Sequence, residues 1–245
     1  MAITHTFTTD EDFLGLEEEG KLLLTTHSLG KSDNLVEKQG ANGGFVAHKV
    51  FGTTCAPSCN YEIVSAQTAF KKLLGKVYQS TRSLATGPIA LKSFTISTSA
   101  GGKPTFSAEG VQIEAGATSA AHQFETSEIS ISPDNHAITF GAFTVASPQG
   151  GTAELASSTY TADCTLDPAT ADGVPVASDA VGGFETVAVT FWSTGGAPVV
   201  TEETGWFLSS PLTRTRDDGD FETWECTLKH YLAASTPAAS SSSSS

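Results

Sequence analysis

The chain has 245 residues, 39% of them hydrophobic and 16% charged, with 13 Lys and Arg against 27 Asp and Glu for a formal net charge of −14. An acidic chain whose longest basic run is Lys71-Lys72 lacks the patch that grips nucleic-acid phosphates, and its apolar content is too high for a disordered polymer. The Ser-, Thr- and Gly-rich remainder fits a single β-rich domain, predicted over residues 1–234.

In chain order, Met1 to Gly20 carries Asp10, Glu11, Asp12 and Glu17 to Glu19 where a secretory leader would have Lys or Arg and an apolar run. A soluble protein made in the cytoplasm is expected, with its cysteines reduced and no membrane partner, because no apolar stretch approaches the length of a bilayer span. Lys21 to Leu29 and Phe45 to Phe51 read as strands. The polar segment between them, Lys31 to Gly44, reads as an extended hairpin arm or loop that protrudes and gains order from a neighbouring subunit.

Next comes a run in which Ala66, Ala69, Phe70, Leu73, Leu74, Val77 and Tyr78 recur at helical spacing, with Lys71, Lys72 and Lys76 opposite. That spacing predicts one α-helix over residues 65–85, capped by Ser65 and stopped by Thr86-Gly87-Pro88, with Gly75 as a weak point inside it.

Beyond it the period falls to two. Strands are predicted over Ile89 to Thr98, Thr105 to Ile113, Phe124 to Ser132, Ala137 to Val145, Thr159 to Leu166, Phe184 to Trp192 and Glu222 to Leu232. Glycine-containing pairs such as Gly101-Gly102, Asp172-Gly173, Gly182-Gly183 and Asp218-Gly219 supply chain reversals between them. Tyr160, Ala162 and Cys164 alternate with polar neighbours, as do Trp224, Cys226 and Leu228, so each strand has a buried and a wet face. Many short strands and one helix predict an antiparallel β-sandwich or bent barrel with a flanking helix. The Ser-rich tail, residues 235–245, adds nothing to a core.

Candidate sites are few. Cys55 and Cys59 flank Pro57 and read foremost as structural thiols; the alternative is half a zinc site completed by His48 or by the distant Cys164 and Cys226, and a Cys164 to Cys226 bridge is also conceivable. Asp217, Asp218, Asp220 and Glu222 either gather around calcium or flank a tight turn at Asp218-Gly219. His5, His27, His48, His122, His136 and His230 are scattered, and no nucleophile elbow, phosphate loop or zinc-protease helix accompanies them. No catalytic residue, metal ligand or cofactor site is assigned, and a non-enzymatic role is expected.

The order of parts resembles the major tail (tail tube) proteins of long-tailed bacteriophages: an acidic arm, two strands around Ser32 to Gly44, the 65–85 helix, then antiparallel strands ending at Trp224 to Leu232. Leu91 to Ile96, and Trp206 to Tyr231 with Pro211-Leu212-Thr213 and the Asp-Gly turn, share the character of phage virion proteins. That resemblance implies hexameric rings stacked into a tube in the virion, bridged by the hairpin and terminal arms, contacting other virion proteins and passing DNA without gripping it. Acidic walls repel phosphates and let the polymer slide. Two rival readings remain: a carbohydrate-binding or adhesin-like β-sandwich using Trp192, Trp206 or Trp224, and a head decoration or minor virion protein.

Overall fold

The structure is a computed structural model that describes residues 22–41, 43, 45–78, 88–113, 123–132, 137–171, 174–219 and 221–235. The first strands in chain order are β1 Leu22–Gln39, β2 Phe45–Ile63, β3 Gln67–Phe70, β4 Leu73–Leu74, β5 Val77–Tyr78 and β6 Ile89–Ser99. Then come β7 Thr105–Gln112, β8 Gln123–Glu125, β9 Ile129–Ser132, β10 Ala137–Phe140, β11 Phe143–Ala146 and β12 Ala153–Ala171. The last are β13 Val174–Ser193, β14 Val199–Glu202, β15 Trp206–Asp218, β16 Phe221–Tyr231 and β17 Ala234–Ser235. The chain is mainly β and its sheets are antiparallel.

One large sheet dominates, in the order β1-β2-β7-β6-β12-β13-β16-β15, with β5 against β6. Its strands alternate cleanly because Phe94, Ile96, Phe106, Ala108, Tyr160, Ala162, Val187, Val189, Cys226 and Leu228 all fall in one phase and are buried. The opposite phase carries hydroxyls that pair across strands, Thr95 with Thr161 at 3.1 Å and Ser97 with Thr159 at 3.3 Å. Three small sheets contribute side chains to the same core: β10-β9-β3, β11-β14 and β17-β8-β4. Phe70 of β3 meets Phe94 edge-on at 5.9 Å, and Phe143 of β11 meets Phe191 of β13 at 6.1 Å. Such edge contacts suit the ring quadrupole.

The predicted helix over residues 65–85 is corrected where the structure describes it. Residues 67–78 form β3, β4 and β5, while 79–85 lie outside the described residues. Gly75 decides the matter: its φ is +81°, in the left-handed region, and Lys76 N–H donates to Leu73 C=O at 3.3 Å. A glycine with positive φ third in a four-residue turn is a type II pattern, so the chain reverses between β4 and β5 instead of winding on. The apolar spacing that mimicked a helix instead serves strands that bury Phe70 and Leu74. No helix occurs among the described residues, and none there is long and apolar enough to cross a membrane. Gly75→Ala therefore separates the two conformations. In a helix it would stabilise by ~1 kcal/mol, whereas at positive φ it should destabilise by ~1 kcal/mol, a difference in sign readable from urea midpoints.

Two ribbons extend beyond their neighbours. β1 and β2 pair from Leu22↔Ile63 to Gln39↔Phe45, yet β7 backs β2 only over Ser58 to Glu62. The segment 31–39 is thus strand, and the last pair before the hairpin end is Gln39↔Phe45. β12 and β13 pair out to Ala171↔Val174. The Gly182-Gly183 pair does not reverse the chain there; it sits in a register shift, with Gly182 at φ +64°. This is a bulge, which bends a strand without ending it. Phe124 lies over Gly183 so closely that an added Cβ would meet the ring at 2.3 Å. Beyond the bend, Cys164, Leu166 and Ala180 join the core.

Candidate functional site

The strand phase of β13 holds an anomaly. Glu185 occupies a core position between Gly183 and Val187 and is 0% exposed. A carboxylate there must be met by donors, since an unpaired buried charge is prohibitively costly. Tyr160 Oη of β12 donates to its Oε1 at 2.5 Å, and Ser127 N–H to the same oxygen at 2.5 Å. Ser127 Oγ donates to Oε2 at 2.7 Å, and His230 Nδ1 of β16 lies 3.1 Å from Oε2. Against an ionised carboxylate, which only accepts, the tautomer that hydrogen-bonds here is the one with its proton on Nδ1.

The network continues outward. The Thr126 hydroxyl hydrogen-bonds the Tyr160 phenol, Lys72 N–H donates to Thr126 Oγ1 at 3.0 Å, and Thr126 N–H donates to Lys72 C=O at 3.0 Å. Trp206 stands over the His230 ring with centroids 5.3 Å apart, and Gly205 leaves the ring room, an added Cβ meeting it at 3.2 Å. The cluster ties the 126–127 crossing to three strands of the large sheet. Ser127 and His230 both hang from the carboxylate, so they form no serine–histidine–acid relay, in which the imidazole must lie between the other two.

The chain matches no protein-family model and no curated protein sequence.

Burial, then the neighbouring Glu185 charge, pushes the Tyr160 phenol well above its ordinary value. Because the native value is raised, the associated stability is fully present below the unfolded phenol value of about 10 and is lost as pH rises past it. Stability measured by urea between pH 9 and pH 12 should fall by up to ~1.4 kcal/mol per pH unit from this group, and Tyr160→Phe should flatten that part of the slope.

The other sequence candidates are dispersed. Cys55 and Cys59 share strand β2, and four residues of extended chain separate them by ~13 Å, too far for both to bind one zinc ion. Cys59 is buried with its thiol 3.9 Å from Ala108 C=O; the side chains of Cys55 and His48 lie outside the described residues. Cys226 is opposite Val189, which is opposite Ser158, six residues from Cys164 along β12. That offset of ~20 Å excludes the bridge, and both thiols are free. Burial pushes Cys164 up to about 12 and Cys226 up to about 11.

Asp218 pairs with Phe221 across Gly219, whose φ is +70°, giving a tight hairpin. Glu222 binds Arg214 at 3.3 Å and Trp224 Nε1 at 3.0 Å; Asp220 and the side chains of Asp217 and Asp218 lie outside the described residues. His5, His122 and His136 also lie outside them, and His27 is exposed. Trp206 is buried and Trp224 half-buried, while Trp192 is 44% exposed. On the wet face Phe207 and Tyr231 stack at 5.8 Å, with Lys229 Nζ 4.9 Å from the tyrosine ring.

Glu185 escaped the sequence reading although its signal was there: it alternates in phase with Val187, Val189 and Phe191. A charged residue in the core phase of a strand is either a phase error or a satisfied buried group. Its partners Ser127, Tyr160 and His230 come from 25 to 58 residues away, a distance that no local pattern spans.

Proposed function

We propose that the protein is a virion structural subunit, the tail tube subunit of a long-tailed phage, assembling as stacked hexameric rings that let DNA pass. The observation that carries this reading is the β1–β2 ribbon, 18 and 19 residues long, whose outer half leaves the sheet that supports it. A ribbon of that length offers unpaired edge backbone groups on which a strand of another subunit can add. The small sheets over one face of the large one are read as the second layer of a β-sandwich. The net charge of −14 suits a wall that repels phosphates. The buried Glu185 clamp fits a part built for rigidity, and the other partners are further virion proteins.

Electron microscopy and light scattering of the purified protein test the proposal. Rings or tubes support it, and a monomer at high concentration with no ring or tube in micrographs defeats it. The exposed Trp192 and the Phe207–Tyr231 stack favour a second reading, a glycan-binding β-sandwich, because sugar rings lie on exposed aromatic faces. Retention on an insoluble polysaccharide that Trp192→Ala or Tyr231→Ala abolishes would select it.

A further inference from the structure

Among the described residues, the wet face of the large sheet carries two groups of exposed aromatic rings, and they differ in what their ring faces meet. At one end, Lys229 Nζ sits 4.0 Å from the centroid of Phe184 and 4.9 Å from that of Tyr231, which stacks on Phe207 at 5.8 Å. Those rings are engaged by one another and by the ammonium, as the ring quadrupole favours. At the other end, Trp192 of β13 is 44% exposed and Phe221 of β16 is 54% exposed. Trp192 points outward because Phe191 and Ser193 on either side of it are buried, and it pairs with Thr223. Phe221 shares the phase of Thr223, so it is the diagonal neighbour of Trp192 on the same face, with Cα atoms about 7–8 Å apart.

We infer that Trp192 and Phe221 form a binding site for a neutral glycan, whose sugar rings lay their C–H faces on the two aromatic rings while their hydroxyls meet the polar side chains alongside. Glu154 lies opposite Trp192 on β12, and Arg216 lies opposite Thr223 on β15. A carboxylate, a hydroxyl and a guanidinium thus stand in one row with the tryptophan, and the exposed Glu225 follows in the next row. A sugar is matched by such alternation of apolar faces and hydrogen-bonding groups. A protein partner needs a continuous, charge-poor centre, which this row interrupts. Two carboxylates against one guanidinium disfavour an anionic polymer. Over these residues β13 pairs with both β12 and β16, and β16 with β15, so the backbone offers no open edge for strand addition and side chains must do the recognition. The glycan as ligand rests on the second reading above; the choice of Trp192 and Phe221 over Phe207 and Tyr231 does not.

The test passes the full chain and its variants over insoluble cellulose, chitin and starch, with cross-linked alginate as the anionic comparison. Wild type should be retained on at least one neutral polysaccharide and released by soluble oligosaccharides of the same sugar. Trp192→Ala and Phe221→Ala should each weaken retention by about tenfold or more, with urea midpoints near wild type because both rings are exposed. Trp192→Tyr, which keeps a ring, should retain most of the binding, and Tyr231→Ala should leave it unchanged. Retention that Tyr231→Ala abolishes and that Trp192→Ala and Phe221→Ala leave intact overturns this site and leaves the glycan reading standing. Retention on alginate alone overturns the neutral ligand. Retention that no soluble oligosaccharide releases is apolar adsorption and overturns both the site and the glycan reading, as does a wild-type chain that none of these polysaccharides holds.

Discussion

Glu185→Leu should be among the most damaging substitutions in the chain, although it puts an apolar residue into an apolar core. The leucine removes the acceptor for Tyr160 Oη and Ser127 N–H, both in the buried network around the carboxylate. Each orphaned buried donor costs about 1–3 kcal/mol, so the two together cost about 2–6 kcal/mol. Against a total stability of about 5–15 kcal/mol that is a large fraction. His230 and the Ser127 hydroxyl suffer less, because the imidazole is partly exposed at 29% and a hydroxyl rotates. Glu185→Gln should be far milder, about 1 kcal/mol. Its amide oxygen still accepts from Tyr160 and Ser127 N–H, while its NH₂ donates to Ser127 Oγ and, after a tautomer change, to His230 Nδ1. Urea unfolding of the two variants measures the difference. Equal stability of Glu185→Leu and wild type would mean that the carboxylate holds nothing together.

The same residue shows what the sequence makes legible and what it hides. Period-two alternation identified Tyr160, Ala162 and Cys164, and likewise Cys226 and Leu228, as inward-facing, and these are buried. Alternation survives in sequence because a single face of the sheet is dry. It fails where conformation depends on one backbone angle. Phe70, Leu73, Leu74 and Val77 have helical spacing, yet Gly75 at φ +81° turns the chain between β4 and β5. Gly182-Gly183 carries the composition of a reversal, but the partner strand β12 continues past it and the glycines become a bend. Ribbon length was hidden for a related reason. Strand pairing over Lys31 to Gln39 lacks apolar alternation, so the polar strand reads from sequence as either an extended hairpin arm or a loop, and the arm is what forms. The buried polar cluster depends on contacts between distant segments, which only the fold brings together.

Phe94→Ala tests the layering of the fold itself. Phe94 is 1% exposed and its ring stands 5.6 Å from Phe106, 5.7 Å from Tyr160 and 5.9 Å from Phe70. Phe106 and Tyr160 belong to the large sheet; Phe70 comes from the small sheet β10-β9-β3. Truncating such a ring costs about 3–5 kcal/mol, part transfer and part cavity, enough to lower the urea midpoint sharply. The informative quantity is the coupling between Phe94→Ala and Phe70→Ala in a double-mutant cycle. If the small sheet is seated on the large one, removing either ring empties the same contact, and the double variant should lose less than the sum by about 0.5–1.5 kcal/mol. Purely additive losses would mean that Phe70 packs elsewhere and that the small sheet does not cover this part of the core. The layered arrangement would then have to be abandoned.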